Sequence, residues 1–257
     1  MTTVDLNSDM GESFGVYKMG DDAAMLKIVS TANVACGFHA GDPLIMYETV
    51  ATAKANGVAI GAHPSFRDLW GFGRRPIHGE RPDDVMKEVI YQIGALQGIA
   101  SAAGHRVTHV KTHGSLGNLA EGDEGLAMAV ARATKAVDAG LILMVTPGNQ
   151  LERAGERLGL RMVREVYADR TYDDNGYLTS RKLPGAVIHD AKAATARVIQ
   201  MVQTRTITAV SGKKLLVNID TICVHGDNPA AVDMAHAIRA GLEAAGVTVS
   251  PFAQTIN

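Results

Sequence analysis

The chain has 257 residues, 46% of them hydrophobic and 20% charged, and its net charge is −2. A barrel of alternating strands and helices fits that length in one domain, and the balanced charge offers no basic surface for nucleic acid, which is excluded as an expected partner. No apolar run approaches a membrane span, the N-terminus has no signal-peptide pattern, and the two cysteines, Cys36 and Cys223, sit inside apolar segments; these features predict a cytoplasmic protein with buried thiols and no membrane partner.

In chain order, strand-like runs at 3–9, 31–36, 58–62, 107–111, 141–145, 162–168, 215–224 and 247–251 alternate with amphipathic stretches. The alternation predicts α/β architecture, βα units around a parallel sheet, as a single domain over 1–257. Helical faces are read at Val85, Val89, Ile93, Leu96 and Ala100, at Leu126, Val130, Ala133 and Val137, and at Met234, Ile238, Leu242 and Ala245. Asp42-Pro43 and Asp227-Asn228-Pro229 read as helix starts, a capping side chain followed by proline in the first turn. Two long loops interrupt the rhythm. The first, 64–82, carries Trp70-Gly71-Phe72-Gly73-Arg74-Arg75, which suits a lid over a small anion, and the second, 169–184, contains an Asp-Asp-Asn-Gly turn.

Chemistry-bearing residues fall at the strand ends, where α/β folds place their sites. Asp5, Asn7 and Asp9 point to one side of the first strand, and Glu12 follows a permissive Gly11; such a set lines a polar cavity, binds a cation or meets basic partners, or else forms a structural hydrogen-bond network. His39, His63, His113 and His225 each end or follow an apolar run beside small residues, which favours a shared site over four separate structural histidines. A zinc signature of the helical His-Glu-x-x-His kind is absent, so a divalent metal has only scattered donors to support it. Lys111 lies two residues before His113 on one side of a strand. Arg74, Arg75, Arg170, Arg181 and Lys182 offer positive charge in or beside the loops. Cys36 and Cys223 read as packing residues, with a Cys36–His39 pair as the nucleophilic alternative. Ser211-Gly212-Lys213-Lys214 lacks the spacing of a phosphate loop, so a nucleotide would sit on another polypeptide.

The segments Asp5-Leu6-Asn7-Ser8-Asp9-Met10-Gly11-Glu12-Ser13-Phe14-Gly15, Ala35-Cys36-Gly37-Phe38-His39-Ala40-Gly41-Asp42, Gly61-Ala62-His63-Pro64-Ser65, Gly71-Phe72-Gly73-Arg74-Arg75, Glu165-Val166-Tyr167-Ala168-Asp169-Arg170 and Cys223-Val224-His225-Gly226-Asp227 together resemble the LamB/YcsF family across essentially the whole chain. The resemblance implies an irregular (β/α) barrel of the glycoside hydrolase/deacetylase type. It also implies the role of the A subunit of an ATP-dependent 5-oxoprolinase, which opens the lactam of 5-oxoproline to L-glutamate together with partner subunits B and C, with ATP held by those partners. Two departures stand out: Lys111-Thr112-His113-Gly114-Ser115-Leu116-Gly117-Asn118 has Gly117 where the family usually has tyrosine, which reshapes the pocket, and Arg67 stands where proline is more frequent.

On that reading Asp5, Asp9 and Glu12, with His113 or His225, position or deprotonate water, and Lys111 is the catalytic cation. Asn7, His39, Arg74, Asp169, Arg170 and Arg181 bind the substrate or its phosphorylated form. Substitution of Lys111 or His113 is expected to lower turnover and leave melting unchanged. A fainter similarity in motif order to metal-dependent sugar deacetylases nominates Asp9, His63 and His113 as ligands of a divalent metal and His225 as a proton carrier. The rivals are a stand-alone metal-dependent deacetylase or amidohydrolase and a non-catalytic substrate-binding subunit.

Overall fold

The computed structural model describes residues 2–226 and 229–255. In chain order its strands are β1 (Thr2–Met10), β2 (Thr31–Ala35), β3 (Ala59–His63), β4 (Val107–Val110), β5 (Ile142–Val145), β6 (Met162–Tyr167), β7 (Thr206–Thr208), β8 (Lys214–Leu216), β9 (Thr221–Cys223) and β10 (Val247–Val249). The helices are α1 (Asp22–Met25), α2 (Pro43–Ala55), α3 (Pro82–Ala102), α4 (Gly114–Gly122), α5 (Glu124–Val137), α6 (Gln150–Leu158), α7 (Ala191–Thr204), α8 (Pro229–Ala244) and α9 (Phe252–Thr255). β1 to β6 run parallel in sequence order, and β9 pairs with both β6 and β1, closing a seven-stranded barrel.

Irregularity enters at β1. Its first residues pair with β10, Thr2 opposite Val247, and its later residues pair with β9, Asp5 opposite Thr221. The expected strand at 247–251 therefore flanks the barrel base and does not join the ring. The run at 215–224 divides as well: Lys214–Leu216 turns back on Thr206–Thr208 as an antiparallel hairpin, and only Thr221–Cys223 enters the barrel. The intervening Val217-Asn218-Ile219-Asp220 alternates apolar and polar as a strand does, so the sequence carries no mark of the break.

The crossover helices bury the faces read from their periodicity. On α3, Val85, Val89, Ile93, Leu96 and Ala100 are buried against the sheet, as are Leu126, Val130 and Ala133 on α5 and Ile238 and Leu242 on α8. Asp42 caps α2, accepting from Leu44 N at 2.8 Å and Ile45 N at 3.0 Å, with Pro43 in the first turn; such a cap stabilises a helix by about 1 kcal/mol. The corresponding start at Asp227-Asn228 lies outside the described residues. No helix among the described residues is long and apolar enough to cross a membrane.

Inside the barrel the side chains form polar layers, where most α/β barrels carry branched apolar residues. At the base, the Asp5 carboxylate accepts from the hydroxyls of Ser30 (2.7 Å), Thr31 (2.5 Å) and Thr221. Above it, Asn7 donates to Thr221 Oγ1 at 2.7 Å and accepts from Asn33 Nδ2 at 2.8 Å, while His109 Nε2 meets Asn33 Oδ1 at 2.8 Å. Gly61 is required beside this layer, because a Cβ there would collide with the His109 ring. Burying polar groups is tolerable only where each finds a partner, and these layers meet that condition while leading upward to the barrel mouth.

Candidate active site

Period-two geometry carries His109, Lys111 and His113 inward from β4 and the residues after it, so each occupies a higher layer. Lys111 is 4% exposed. Its ammonium lies 2.9 Å from Asp9 Oδ1 and 2.7 Å from Glu165 Oε1, with Asn7 Oδ1 and Cys223 Sγ each at 3.4 Å. Burial opposes its charge, yet the carboxylates of Asp9 and Glu165 hold the ammonium well above the usual lysine range. Burial likewise opposes ionisation of Asp9, but His63 and Lys111 keep its carboxyl well below the usual range. Lys111 is thus a fixed positive charge.

On one side of Asp9 the imidazoles gather. His63 Nε2 lies 3.3 Å from Asp9 Oδ2 and 3.0 Å from His113 Nδ1, and His39 stacks on His113 with centroids 3.8 Å apart. His63 Nδ1 is 2.8 Å from the Lys111 carbonyl and His113 Nε2 is 2.8 Å from the Phe72 carbonyl. A carbonyl only accepts, so both nitrogens carry hydrogen, and in a neutral His113 ring the Nδ1 lone pair faces His63 Nε2. Burial and the neighbouring imidazoles push His113 and His39 well below the usual histidine range, which keeps these two rings neutral. Glu12 Oε1, 3.4 Å from His113 Nδ1 and 3.6 Å from His39 Nε2, has no hydrogen-bond partner, nor does either His39 nitrogen. Burial and the Asp9 charge raise the Glu12 carboxyl above its ordinary value. Glu12, His39, His63 and His113 place donor atoms within 4.8 Å of one another. Imidazole and carboxyl ligand atoms crowded together are an arrangement that can take a cation, and backbone carbonyls fixing the outer nitrogens are how metal-binding histidines are commonly oriented.

The first long loop closes over this cluster. Phe72 and Gly73 lie on it, Gly73 O accepting from Ser115 N at 2.7 Å. Gly73 has φ +62°, and a Cβ there would lie 2.6 Å from Ser65 Oγ and 2.8 Å from His113 Cδ2, so only glycine lets the backbone approach. Arg74 is exposed above the Phe72 ring at 5.0 Å, and Arg75 pairs with Asp68 within the loop. Trp70 is 95% exposed.

On the other side, His225 Nδ1 lies 2.8 Å from Asp169 Oδ2, and His225, Cys223 and Asp9 put donor atoms within 4.8 Å of one another. Burial disfavours the imidazolium, but Asp169 outweighs it and raises the proton affinity of His225; burial opposes and the His225 charge favours ionisation of Asp169, whose carboxyl is held low. Asp169, Arg181, His189 and His225 line a cavity of about 220 Å³ that reaches α8. A smaller space of about 50 Å³ lies against Lys111 and Glu165 and is lined by Gly117, so the reshaping expected from that glycine falls beside the site lysine.

Asp9, His39, His63, His113 and His225 therefore meet at one rim, as their strand-end positions predict. Three expectations are corrected. Asp5 is consumed by three hydroxyls at the barrel base and is structural, although burial lifts its carboxyl to about 6. Asn7 is saturated beneath Lys111 and supports the lysine. Arg170 turns into its own loop, donating to the Thr179 carbonyl at 2.6 Å. The Cys36 nucleophile alternative also fails: burial pushes the thiol up to about 12, and Sγ donates to the Val34 carbonyl. Sequence reasoning missed His109 and Glu165 as site residues. His109 continues the Lys111/His113 period, and an acidic residue inside the buried strand 162–168 demanded a buried cation as partner.

Residues 4–257 match the LamB/YcsF family over nearly the full length. The chain belongs to the LamB/YcsF family. Among its relatives, a protein named as the A subunit of 5-oxoprolinase from Rhodopseudomonas palustris (strain BisB5) is 56% identical over 251 residues, covering 98% of this chain and 99% of that protein. One of the same name from Gluconobacter oxydans (strain 621H) is 55% identical over 247 residues, covering 96% and 97%. The crystal structure of a lactam utilization protein from Thermus thermophilus superposes with a TM-score of 0.92 at 44% identity, covering 97% of this chain and 99% of that one. A structure titled T48 deacetylase with substrate shares the fold, with a TM-score of 0.50 and 14% identity over 96% and 87% of the two chains. LamB/YcsF membership and the deacetylase-like barrel thus agree with the topology described above.

Proposed function

We propose that this LamB/YcsF chain is the lactam-opening A subunit of an ATP-dependent 5-oxoprolinase, working in the cytoplasm with partner subunits B and C. The relatives named for 5-oxoprolinase supply the substrate. The observation that carries the mechanism is a proton acceptor and a proton donor in two clusters that meet at the Asp9–Lys111 ion pair: Glu12, with a raised carboxyl pKa, among the imidazoles next to Asp9, and His225, its proton affinity raised by Asp169, with a ligand atom within 4.8 Å of Asp9. Pairs of groups whose surroundings push their proton affinities in useful directions mark acid and base roles.

A lactam is an unactivated amide. In the coupled reaction its oxygen is phosphorylated, and with no phosphate loop in this sequence the nucleotide belongs on the partner subunits. Glu12 takes the proton of the water that adds to the ring carbon. The C=N electrons move onto the ring nitrogen, which His225 protonates as its bond to carbon breaks, leaving a γ-glutamyl phosphate; a second water cleaves it to glutamate and inorganic phosphate, and Lys111 neutralises the charge on the phosphoryl group throughout. Arg181, at the edge of the cavity shared with His225, holds the carboxylate on the carbon next to that nitrogen, and Arg74 offers charge from the lid.

A divalent cation fits the donor set, because His63 Nε2 and His113 Nδ1 converge at 3.0 Å and Asp9 Oδ2 stands 3.3 Å from His63 Nε2. Asp9, His63 and His113 would hold it, and it would supply Lewis-acid polarisation of an oxygen. That same observation favours a second reading, a metal-dependent amidohydrolase that acts without ATP. The assay that separates them measures glutamate release from 5-oxoproline with the chain alone and with its partner subunits, each with and without ATP. Release that requires partners and ATP supports the first reading, and release by the chain alone supports the second.

A further inference from the structure

The rim at which β1, β2 and β3 end is edged with apolar side chains in water. Val16 and Tyr17 on the loop after β1, Leu44 and Tyr47 at the start of α2, and Leu69 and Trp70 on the lid are all exposed, Val16 by 88% and Leu44 by 81%. These segments are tied to one another. Gly15 N donates to Asp42 Oδ2 at 2.7 Å and Asp68 N donates to the Phe38 carbonyl at 3.2 Å, so loops from three neighbouring strands form one arc. The opposite rim differs: the connections from α2 to β3, α3 to β4 and α5 to β5 present Asn56, Arg106 and Asp138 to solvent. Contiguous apolar surface on a soluble chain marks a place where something binds.

The proposed reaction fixes what must cover this arc. The lactam oxygen is phosphorylated where ATP is held, on a partner, while Glu12, Lys111 and His225 belong to this chain and open to this rim. If the phosphorylated lactam crossed bulk water, attack at phosphorus would return 5-oxoproline and inorganic phosphate, and ATP would be hydrolysed with no glutamate formed. Water is kept from the intermediate only if the nucleotide site closes directly on the barrel mouth. Within the arc, Arg74 over the Phe72 ring and Arg181 at the cavity beside His225 are exposed cations, the sign that suits an approaching phosphoryl group.

We infer that the arc of Val16, Tyr17, Leu44, Tyr47, Leu69 and Trp70 is the docking face for the ATP-bearing partner subunit, whose matching surface is apolar and surrounds its nucleotide site. This deepens the proposed lactam-opening reading and rests on it. Trp70 is the anchor, a large side chain 95% exposed on a loop that the Arg75–Asp68 pair braces. Aromatic side chains buried on docking carry a large share of an interface's affinity.

The test is calorimetric titration of the full chain with purified partner subunits B and C, comparing wild type with Val16→Asp, Leu44→Asp and Trp70→Asp. Leu216→Asp is the control, because Leu216 is as exposed, at 82%, but pairs with Thr206 just beyond the far end of α7. Each rim variant is expected to bind at least about tenfold more weakly, with Tm unchanged because the altered side chains stand in water; Leu216→Asp is expected to bind as wild type does. Rim variants that bind like wild type, or a loss in Leu216→Asp equal to theirs, overturn the docking face. So does a wild-type chain that binds neither partner. Self-association of the chain alone that the rim variants abolish also overturns it, making the arc a contact between copies. If the wild-type assembly forms yet opens no 5-oxoproline with ATP, the functional reading has failed, and the affinity comparison still decides the face.

Discussion

His63 Nε2 and His113 Nδ1 lie 3.0 Å apart, while the other nitrogen of each ring donates to a backbone carbonyl, that of Lys111 for one and Phe72 for the other. With Asp9 and Glu12 alongside, carboxylate and imidazole ligand atoms gather in one place.

Divalent cations should therefore stabilise the protein. At a concentration about a hundredfold above its dissociation constant, a bound ion adds about 2.7 kcal/mol, which for a chain of this size raises Tm by roughly 5–11 °C. Thermal melts with zinc, manganese or nickel, and with His63→Ala and His113→Ala, read this directly. The shift should disappear in both variants; melts insensitive to every ion would leave the cluster as a hydrogen-bonding network only.

Lys111→Met tests the fixed cation, and here the structure changes the expectation drawn from sequence. A lysine paired with both Asp9 and Glu165 in the interior is not a dispensable mouth residue. Its removal leaves two buried carboxylates uncompensated, a loss of about 3–5 kcal/mol, so Tm should fall by roughly 6 °C or more along with turnover. Lowering the pH should narrow the gap to wild type: Asp9 is stabilised in its ionised form, a contribution present above the unfolded carboxyl pKa and lost as pH falls through the lower folded value. His113→Ala should cut turnover by about tenfold to a hundredfold. Equal melting of Lys111→Met and wild type at neutral pH would contradict the buried pairing.

The His225–Asp169 pair sets an alkaline limit. His225 has a folded pKa above its unfolded value, so the stability it contributes is fully present below the unfolded pKa and fades as pH rises through the folded one; its capacity to donate a proton fades over the same range. In the reconstituted reaction kcat should decline as pH rises through the raised His225 pKa, and Asp169→Asn should move that decline to lower pH. An alkaline limb that stays in place in Asp169→Asn would remove His225 as the proton donor.

Gly73→Ala should lift the lid. A methyl at φ +62° would press within 2.8 Å of Ser65 Oγ and the His39 and His113 side chains, so the 64–82 loop must shift. Stability should drop by about 1–3 kcal/mol, and proteolysis within the loop should accelerate; unchanged melting and cleavage would show that the lid does not press on the histidines.

Much of this site was legible in the sequence because strands report direction. Period two placed Asp9 above Asn7 and His113 above Lys111, and strand ends placed four histidines at one rim. What a single strand cannot report is which neighbour stands beside it in the closed sheet. Asp5 looked like a third site carboxylate until its register with Thr221 and the reach of Ser30 and Thr31 supplied three hydroxyls. Glu165 acquired its role from Lys111, two strands away around the barrel. The break between Leu216 and Thr221 was hidden because Val217-Asn218-Ile219-Asp220 alternates apolar and polar just as a strand does.

The central claim is that this chain opens a lactam only as part of an ATP-driven assembly, with Glu12 and His225 as base and acid around Lys111. The most direct measurement follows L-glutamate and ADP formation from 5-oxoproline by wild type, Glu12→Gln and His225→Asn, each with and without the partner subunits and ATP. Wild type should form glutamate and ADP together only in the complete mixture, and both variants should lose about a hundredfold in glutamate formation. Glutamate formation by the chain alone without ATP, or near-normal glutamate formation by both variants in the complete mixture, would contradict it.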